Sequence, residues 1–291
     1  MITKKFLMTF LPYDYEGVEK MLSEKSSQGW QLVKTGNYAW TFTQGECDEF
    51  QYNVTYVPNA SEYRAEDTDH QITLDEYCTN AGWDRVCNYK KMQIYRNRDP
   101  LAVPIDTDES QKLQMIHQAI KKWMLLPSGL CSLFLILLAV GVIVKRNEPL
   151  TFPVVKSLFV LLVIAAYGIV EIMNYYVWYF QSKKSISMNG KCCSAKRADL
   201  IHTVSEFLLS IFIIGNIFFF DQITVFEMAF FTGISIFFLI HAAWIKRLCK
   251  YVGCPAVANR IITIVGSVIL SFYCSVWVCA MLVARGFLPG F

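Results

Sequence analysis

Glu171 is the residue in this chain whose chemistry most needs an account, because it lies inside an apolar run from about Val154 to Phe180, with Asn174 close by on the same helical side. A carboxylate in hydrocarbon must be protonated, paired or hydrated, so such a position is a candidate for proton relay or cation binding. His241, in a separate apolar run, is the first expected partner and Asn216 the second. The plainer alternative is a single interhelical hydrogen bond that fixes packing. Asp221, Glu227, Glu206 and His202 fall nearer the ends of their apolar runs.

Thiols form the second group of candidates. Of the ten cysteines, Cys192 and Cys193 fall in one polar loop, and Cys249 and Cys254 in another. Four thiols brought together could bind zinc or form a redox switch, but neither pair has the two-residue gap of a zinc knuckle. Lipidation or an incidental placement fits them equally well. The overall spacing is not that of a disulfide scaffold, so reduced thiols are expected. A third group is aromatic: Trp40, Phe42, Tyr52 and Tyr56 could present faces to a cationic ligand, or could simply be core and sheet face. No nucleophile elbow, phosphate-binding glycine loop or paired-histidine metalloprotease motif occurs. The sequence therefore points to no enzyme activity and no cofactor.

The elements that must hold these residues divide the chain in two. With 54% apolar and 18% charged residues and a mean hydropathy of +0.33, the composition lies outside that of a soluble globular protein. Residues 1–110 carry 11 Lys/Arg against 18 Asp/Glu, a balance of −7, and the remainder carries +10. An acidic front half argues against nucleic-acid binding, which needs clustered Lys and Arg on the folded domain.

The back half, 123–291, reads as an all-α membrane bundle of about five spans: 123–144, 154–180, 203–220, 223–244 and 261–284. The first runs twenty-two residues without a charge, about 33 Å of helix against roughly 30 Å of hydrocarbon. Lys121, Lys122, Lys183, Lys184, Lys191, Lys196, Arg197, Lys246, Arg247, Lys250 and Arg260 fall on one side of these spans, and Lys145, Arg146 and Arg285 on the other. Positive loops resist translocation, so the N-terminus is expected in the cytosol and the C-terminus outside. No signal peptide is read at the start. Tyr175, Tyr176, Trp178, Tyr179, Trp123 and Trp244 are expected as headgroup-level anchors.

The front half, 1–98, reads as a cytosolic α+β domain made of two similar units. The first is a strand (Phe6 to Leu11), a helix (Tyr15 to Gln28), Gly29-Trp30, a strand to Lys34, a turn at Gly36-Asn37 and a strand from Tyr38 to Thr43. The second is a strand (Phe50 to Val57), a helix (Leu74 to Ala81), Gly82-Trp83, a strand to Cys87, a turn near Asn88 and a strand from Met92 to Arg96. The Gly-Trp pairs are 53 residues apart, and Val33 and Val86 share that offset. This predicts a duplicated strand-helix-strand-strand unit, with each Gly a left-handed helix cap and each Trp buried at the helix end. Residues 99–122 read as a linker followed by an amphipathic helix bearing Leu113, Ile116 and Ile120, either transmitting motion or resting on headgroups.

The segments Asp14-Tyr15-Glu16, Gly29-Trp30, Tyr38-Ala39-Trp40-Thr41-Phe42, Phe50-Gln51-Tyr52, Tyr56-Val57-Pro58 and Gly82-Trp83 resemble the bacterial family known as domain of unknown function 2812, over roughly residues 1 to 100. Members of that family commonly carry membrane helices after the domain and often occur beside PadR-type repressors. The resemblance implies a part in sensing or stress response and brings no catalytic residues. The duplicated architecture is also similar to gyrase-inhibitor-like domains, where a cleft between two halves receives apolar cations.

The combined expectation is a bacterial inner-membrane protein, a sensor or regulatory component whose cytosolic domain binds a protein partner or small ligand and whose helices sit in the lipid bilayer. A transporter or transporter accessory subunit built on Glu171 and His241 is the alternative, and a structural or assembly protein the third reading.

Overall fold

The computed structural model describes residues 2–8, 10–36, 39–45, 50–61, 63–64, 66–144, 152–215, 244–249, 251–252, 254–255, 257–267 and 269. Contacts divide it into two units, Met1–Ala60 with Thr68–Ile213, and Ser61–Asp67 with Ile214–Phe291. In the first unit the order is β1 (Thr3–Leu7), α1 (Tyr15–Ser27), β2 (Trp30–Lys34), β3 (Ala39–Gln44), β4 (Gln51–Tyr56), α2 (Asp69–Asn80), β5 (Asp84–Tyr89), β6 (Met92–Asn97) and α3 (Glu109–Ile120). A π-helical turn, Lys121–Leu125, then leads into α4 (Leu126–Val144), α5 (Phe152–Asn189) and α6 (Lys196–Gly215).

The strands form two antiparallel sheets, ordered β1-β3-β2 and β4-β6-β5, so the strand-helix-strand-strand order occurs twice. The likeness extends to register. Gln31, Leu32 and Lys34 face Thr43, Phe42 and Thr41, while Asp84, Arg85 and Cys87 face Arg96, Tyr95 and Ile94, each residue displaced by 53. The pairing shifts at Val33 in one sheet and at Val86 in the other, so an irregularity that bends the strand is repeated as well. Gly29 and Gly82 have φ of 80° and 82°, the left-handed conformation that lets the chain leave a helix and enter a strand at once. Thr35 Oγ1 donates to the Asn88 carbonyl at 2.5 Å, and these two residues are also 53 apart. A residue that meets its own counterpart marks an approximate two-fold relation between the halves.

The expected boundaries differ in two places for local reasons. The first strand is Thr3–Leu7, earlier than expected, because its pairing partners are Thr43 back to Ala39. The second helix begins at Asp69, before Leu74, because Thr68 and Gln71 form a capping box in which each side chain bonds the other's backbone N–H. The two tryptophans are also not equivalent. Trp83 is buried under the chain that follows β6, packing near Ala102 and Ile105 with its Nε1 donating to the Val103 carbonyl at 3.1 Å. Trp30 is half-buried and meets Phe6 edge-on.

The main core combines Val18 and Leu22 of α1 with Leu32, Trp40 and Phe42 of the first sheet and Tyr52, Val54, Tyr56, Met92 and Ile94 of the second. Tyr95, beside Ile94, instead joins Cys78 and Trp83 in a smaller cluster under α2, so β6 is covered on both faces. Helix α3 belongs to the main core, with Leu113, Ile116, Ala119 and Ile120 all buried. Its apolar face therefore meets protein and not headgroups.

Two helical stretches, Glu109–Val144 and Leu158–Asn189, are long and apolar enough to cross a membrane, and only 11% and 28% of their most apolar windows are buried by protein. A core helix of a soluble protein would be mostly covered, so this exposure matters more than the length. Where α4 and α5 touch, small residues allow it: a Cβ at Gly168 would collide with Ser132 Oγ. Five such helices are not seen among the described residues. Helix α6 occupies the start of the expected third span, residues 216–243 lie outside the described set, and Val257–Ser267 is a shorter apolar helix.

Gly82→Ala is expected to lower stability by about 1–2 kcal/mol, the cost of a side chain in the left-handed region, and Gly82→Asn by less. Thermal unfolding of the detergent-solubilised chain followed by tryptophan fluorescence measures both; equal, negligible shifts would show that the helix exit is not constrained as described.

Candidate functional site

Of the aromatic residues considered for ligand recognition, all four are interior. Trp40, Phe42, Tyr52 and Tyr56 are each 4% exposed or less and belong to the main core. Tyr56 is tied further by its hydroxyl, which donates to the Pro12 carbonyl at 3.0 Å. These side chains fill the space between the sheets and α1.

The unusual group in the domain is Glu19, which the sequence reading passed over. It is carried by α1, and its Oε1 accepts the Val54 N–H at 2.8 Å. β4 is an edge strand, so that N–H points away from the sheet and needs a partner from elsewhere. Burial pushes the Glu19 carboxyl up to about 7, against the opposing pull of Lys112 and the Val54 N–H. Lys112 is itself buried, with Nζ 3.7 Å from the Tyr15 ring centroid. Asp106, near the same lysine, is raised by burial too. Helix α1, β4 and α3 thus meet around one buried cation and several carboxyls.

Beyond that point the domain joins α5. Tyr13 packs on Tyr175 at 5.1 Å and on Trp178 at 4.7 Å between ring centroids. His117 Nδ1 lies 2.9 Å from the Tyr175 hydroxyl, and its ring lies 4.5 Å from that of Tyr179. Tyr175 is fully buried and Trp178 nearly so. The aromatic residues at this end of α5 were expected as headgroup anchors; Tyr175 and Trp178 are instead docking residues held by protein. The loop after α5 closes the contact. Cys192 N–H donates to Glu109 Oε2 at 3.1 Å, and Trp178 Nε1 donates to the Cys193 carbonyl at 3.0 Å.

One turn before Tyr175, Glu171 is paired between helices. Its Oε2 lies 2.9 Å from His202 Nδ1 and its Oε1 accepts from Ser205 Oγ at 2.8 Å, both from α6. His202 Nε2 lies 3.6 Å from Glu206, and Asn174 Nδ2 donates to the Ala198 carbonyl at 2.8 Å. Both oxygens of Glu171 are therefore satisfied by a helix adjacent in sequence. His241 and Asn216, the partners expected for it, lie outside the described residues. The spacing of His202, Ser205 and Glu206 on successive turns was a readable signal for this pairing.

Residues 14–127 match a family described as protein of unknown function (DUF2812). The N-terminal domain is a DUF2812 domain. No curated protein and no solved structure matches the chain. The match runs past the last strand through α3 and the π turn, which agrees with the burial of α3 in the core of the DUF2812 domain. The family's description assigns no activity.

Among the described residues no cluster of His, Cys, Asp or Glu could hold a metal ion. Cys192 is buried beside Tyr15 and Glu109, and burial pushes its thiol up to about 12, so it is a poor nucleophile. Cys193 is partly exposed; Cys249 and Cys254 belong to the second unit, where the Cys254 N–H donates to the Cys249 carbonyl at 2.9 Å.

Two predictions follow from these groups. Glu19 holds its proton more tightly when folded than when unfolded, so the folded state is favoured most below the ordinary carboxylate range and loses that advantage as pH rises from 4.5 to about 7. Glu19→Gln keeps an acceptor for Val54 and should flatten the upper part of that decline, leaving the part due to Asp14, Glu16 and Asp106, which burial raises in the same direction. Melting temperatures across pH report it, and an unchanged slope would remove Glu19 as its source. For Glu171, the Gln variant should keep the melting temperature close to the parent's, whereas Glu171→Leu, which removes the partner of His202 Nδ1 while Ser205 Oγ keeps the His202 carbonyl, should cost about 1–3 kcal/mol.

Proposed function

We propose that this chain is a bacterial inner-membrane protein acting as a sensor or regulatory component, in which the DUF2812 domain binds a cytosolic protein partner or small ligand and passes its state to the membrane helices. The observation that carries the proposal is the docking of α5 on the domain through Tyr13, His117, Tyr175 and Trp178. A domain tethered by a flexible linker can bind a partner without disturbing its anchor. Here α5 contributes side chains to the domain's own core, so a rearrangement of α1 or α3 must move Tyr175 and Trp178 with it.

The length of α5 supports the same reading. Its 38 residues make about 57 Å of helix, well beyond the roughly 30 Å of hydrocarbon. The part before Tyr175 is long enough to cross, and the remainder stands on the domain side. In this arrangement Glu171 lies at the inner edge of the membrane and not at its centre, where a paired carboxylate is tolerated more readily. That placement favours a structural or positioning role for Glu171. A transporter, or an accessory subunit of one, stays as the second reading because a carboxylate, an imidazole and a hydroxyl share one interhelical site.

Topology is tested by reporter fusions. A phosphatase fused after Phe291 should be active and one inserted between Lys183 and Arg197 inactive; the reverse pattern would overturn the orientation. Coupling is tested by Tyr175→Phe with Trp178→Phe, which keep aromatic bulk and should leave a membrane-inserted protein with a folded domain yet raise hydrogen exchange across α3 and the start of α1. Exchange confined to α5 would mean that the domain does not sense the helix.

A further inference from the structure

Between α5 and α6 runs a lateral groove of about 270 Å³. Its floor is Asn174, Trp178 and Ala198, all buried. The N–H donors of that floor are already used: Asn174 Nδ2 bonds the Ala198 carbonyl and Trp178 Nε1 the Cys193 carbonyl. What the groove offers a guest is therefore an apolar channel, walled by Met173, Val177 and Ile201, whose side chains are exposed. One end is different. Gln181 and Arg197 line the groove there, beside Lys196.

The guest that fits such a surface is apolar along its length and anionic at one end. Among the described residues Arg197 has no carboxylate within ion-pair distance, whereas Lys196 lies near Asp14. The rest of the polar loop adds Lys183, Lys184 and Lys191 and no acidic residue. The position agrees with the chemistry. Trp178 is where α5 docks on the domain, so the groove runs from the lipid-crossing part of α5 to the level at which hydrocarbon gives way to headgroups. We infer that this groove is a binding site for an anionic membrane phospholipid, with the start of the acyl chain against Val170, Met173 and Ile201, the headgroup beside Val177 and its phosphate on Arg197. The inference rests on α5 crossing a membrane as proposed above. Because Trp178 is at once the floor of the groove and a docking residue for Tyr13, a lipid seated here touches the contact that joins membrane and domain.

The test uses the full chain in phosphatidylcholine vesicles with a minor fraction of phosphatidylglycerol, placing bromine on the acyl chains of one lipid at a time. The Trp178 signal is the difference between the parent and Trp178→Phe. Brominated phosphatidylglycerol should quench it about fivefold more per labelled lipid than brominated phosphatidylcholine, the factor expected for one basic side chain at a membrane surface. Arg197→Gln should bring the two lipids level, and Arg197→Lys should retain most of the preference. Equal quenching in the parent, or a preference that survives Arg197→Gln, would overturn the site while leaving the membrane reading intact. Quenching by neither lipid would also overturn the site, while the membrane reading is decided separately by the reporter fusions. If inorganic phosphate in solution abolishes the preference, Arg197 binds a free anion and the lipid assignment falls.

Discussion

The structure depends on the contact between the domain and the end of α5. Tyr175 and Trp178 are large, buried and interlocked with Tyr13 and His117, and each sits on a helix that extends well past the domain. Truncating a buried Tyr or Trp costs about 3–5 kcal/mol, a sizeable share of the 5–15 kcal/mol that holds a whole domain folded. The hydrogen bonds from Cys192 and Trp178 fix the direction in which the chain leaves α5, and α6 then returns beside it to supply the partners of Glu171.

Within the domain, the repeat solves a problem of edges. Each three-stranded sheet has two edges with unpaired backbone groups. Bringing β2 beside β5 around the Thr35–Asn88 contact uses one edge of each sheet. At β4 the outward Val54 N–H is met by Glu19, a side chain from the opposite half. This explains why a carboxylate is tolerated in an apolar setting: the backbone N–H it satisfies would otherwise be orphaned. Two units of the same topology thus differ where they face one another.

The sequence made some of this readable and hid the rest for physical reasons. The two units, their Gly-Trp caps and the offset of 53 residues are local signals, and a left-handed glycine between a helix and a strand leaves a mark that tertiary context rarely overrides. Two of the expected apolar helices were legible because length and composition set them. Trp30 and Trp83 look alike in sequence but differ in burial, since the cover over Trp83 comes from residues 102–105, outside the repeat. The aromatic end of α5 was misread because Tyr and Trp at the end of an apolar helix serve equally well in headgroups or in a protein contact. Composition cannot separate these uses; only the partner can. Glu19 left no pattern at all, because its role depends on an edge N–H 35 residues away.

In the proposed orientation the docking contact also works against electrostatics. The domain region carries a balance of −7, and a cytosolic leaflet is anionic, so charge alone would hold the two apart. Lys183, Lys184, Lys191, Lys196 and Arg197 lie in and beside the loop that closes the docking site, between the acidic domain and the membrane surface. They can answer to either neighbour, and Lys196 already lies near Asp14. The distribution of that positive charge between lipid and domain then bears directly on how tightly Tyr13 holds Trp178. In the proposed arrangement such a junction would respond to ionic strength and to headgroup composition, because both act on the same few side chains.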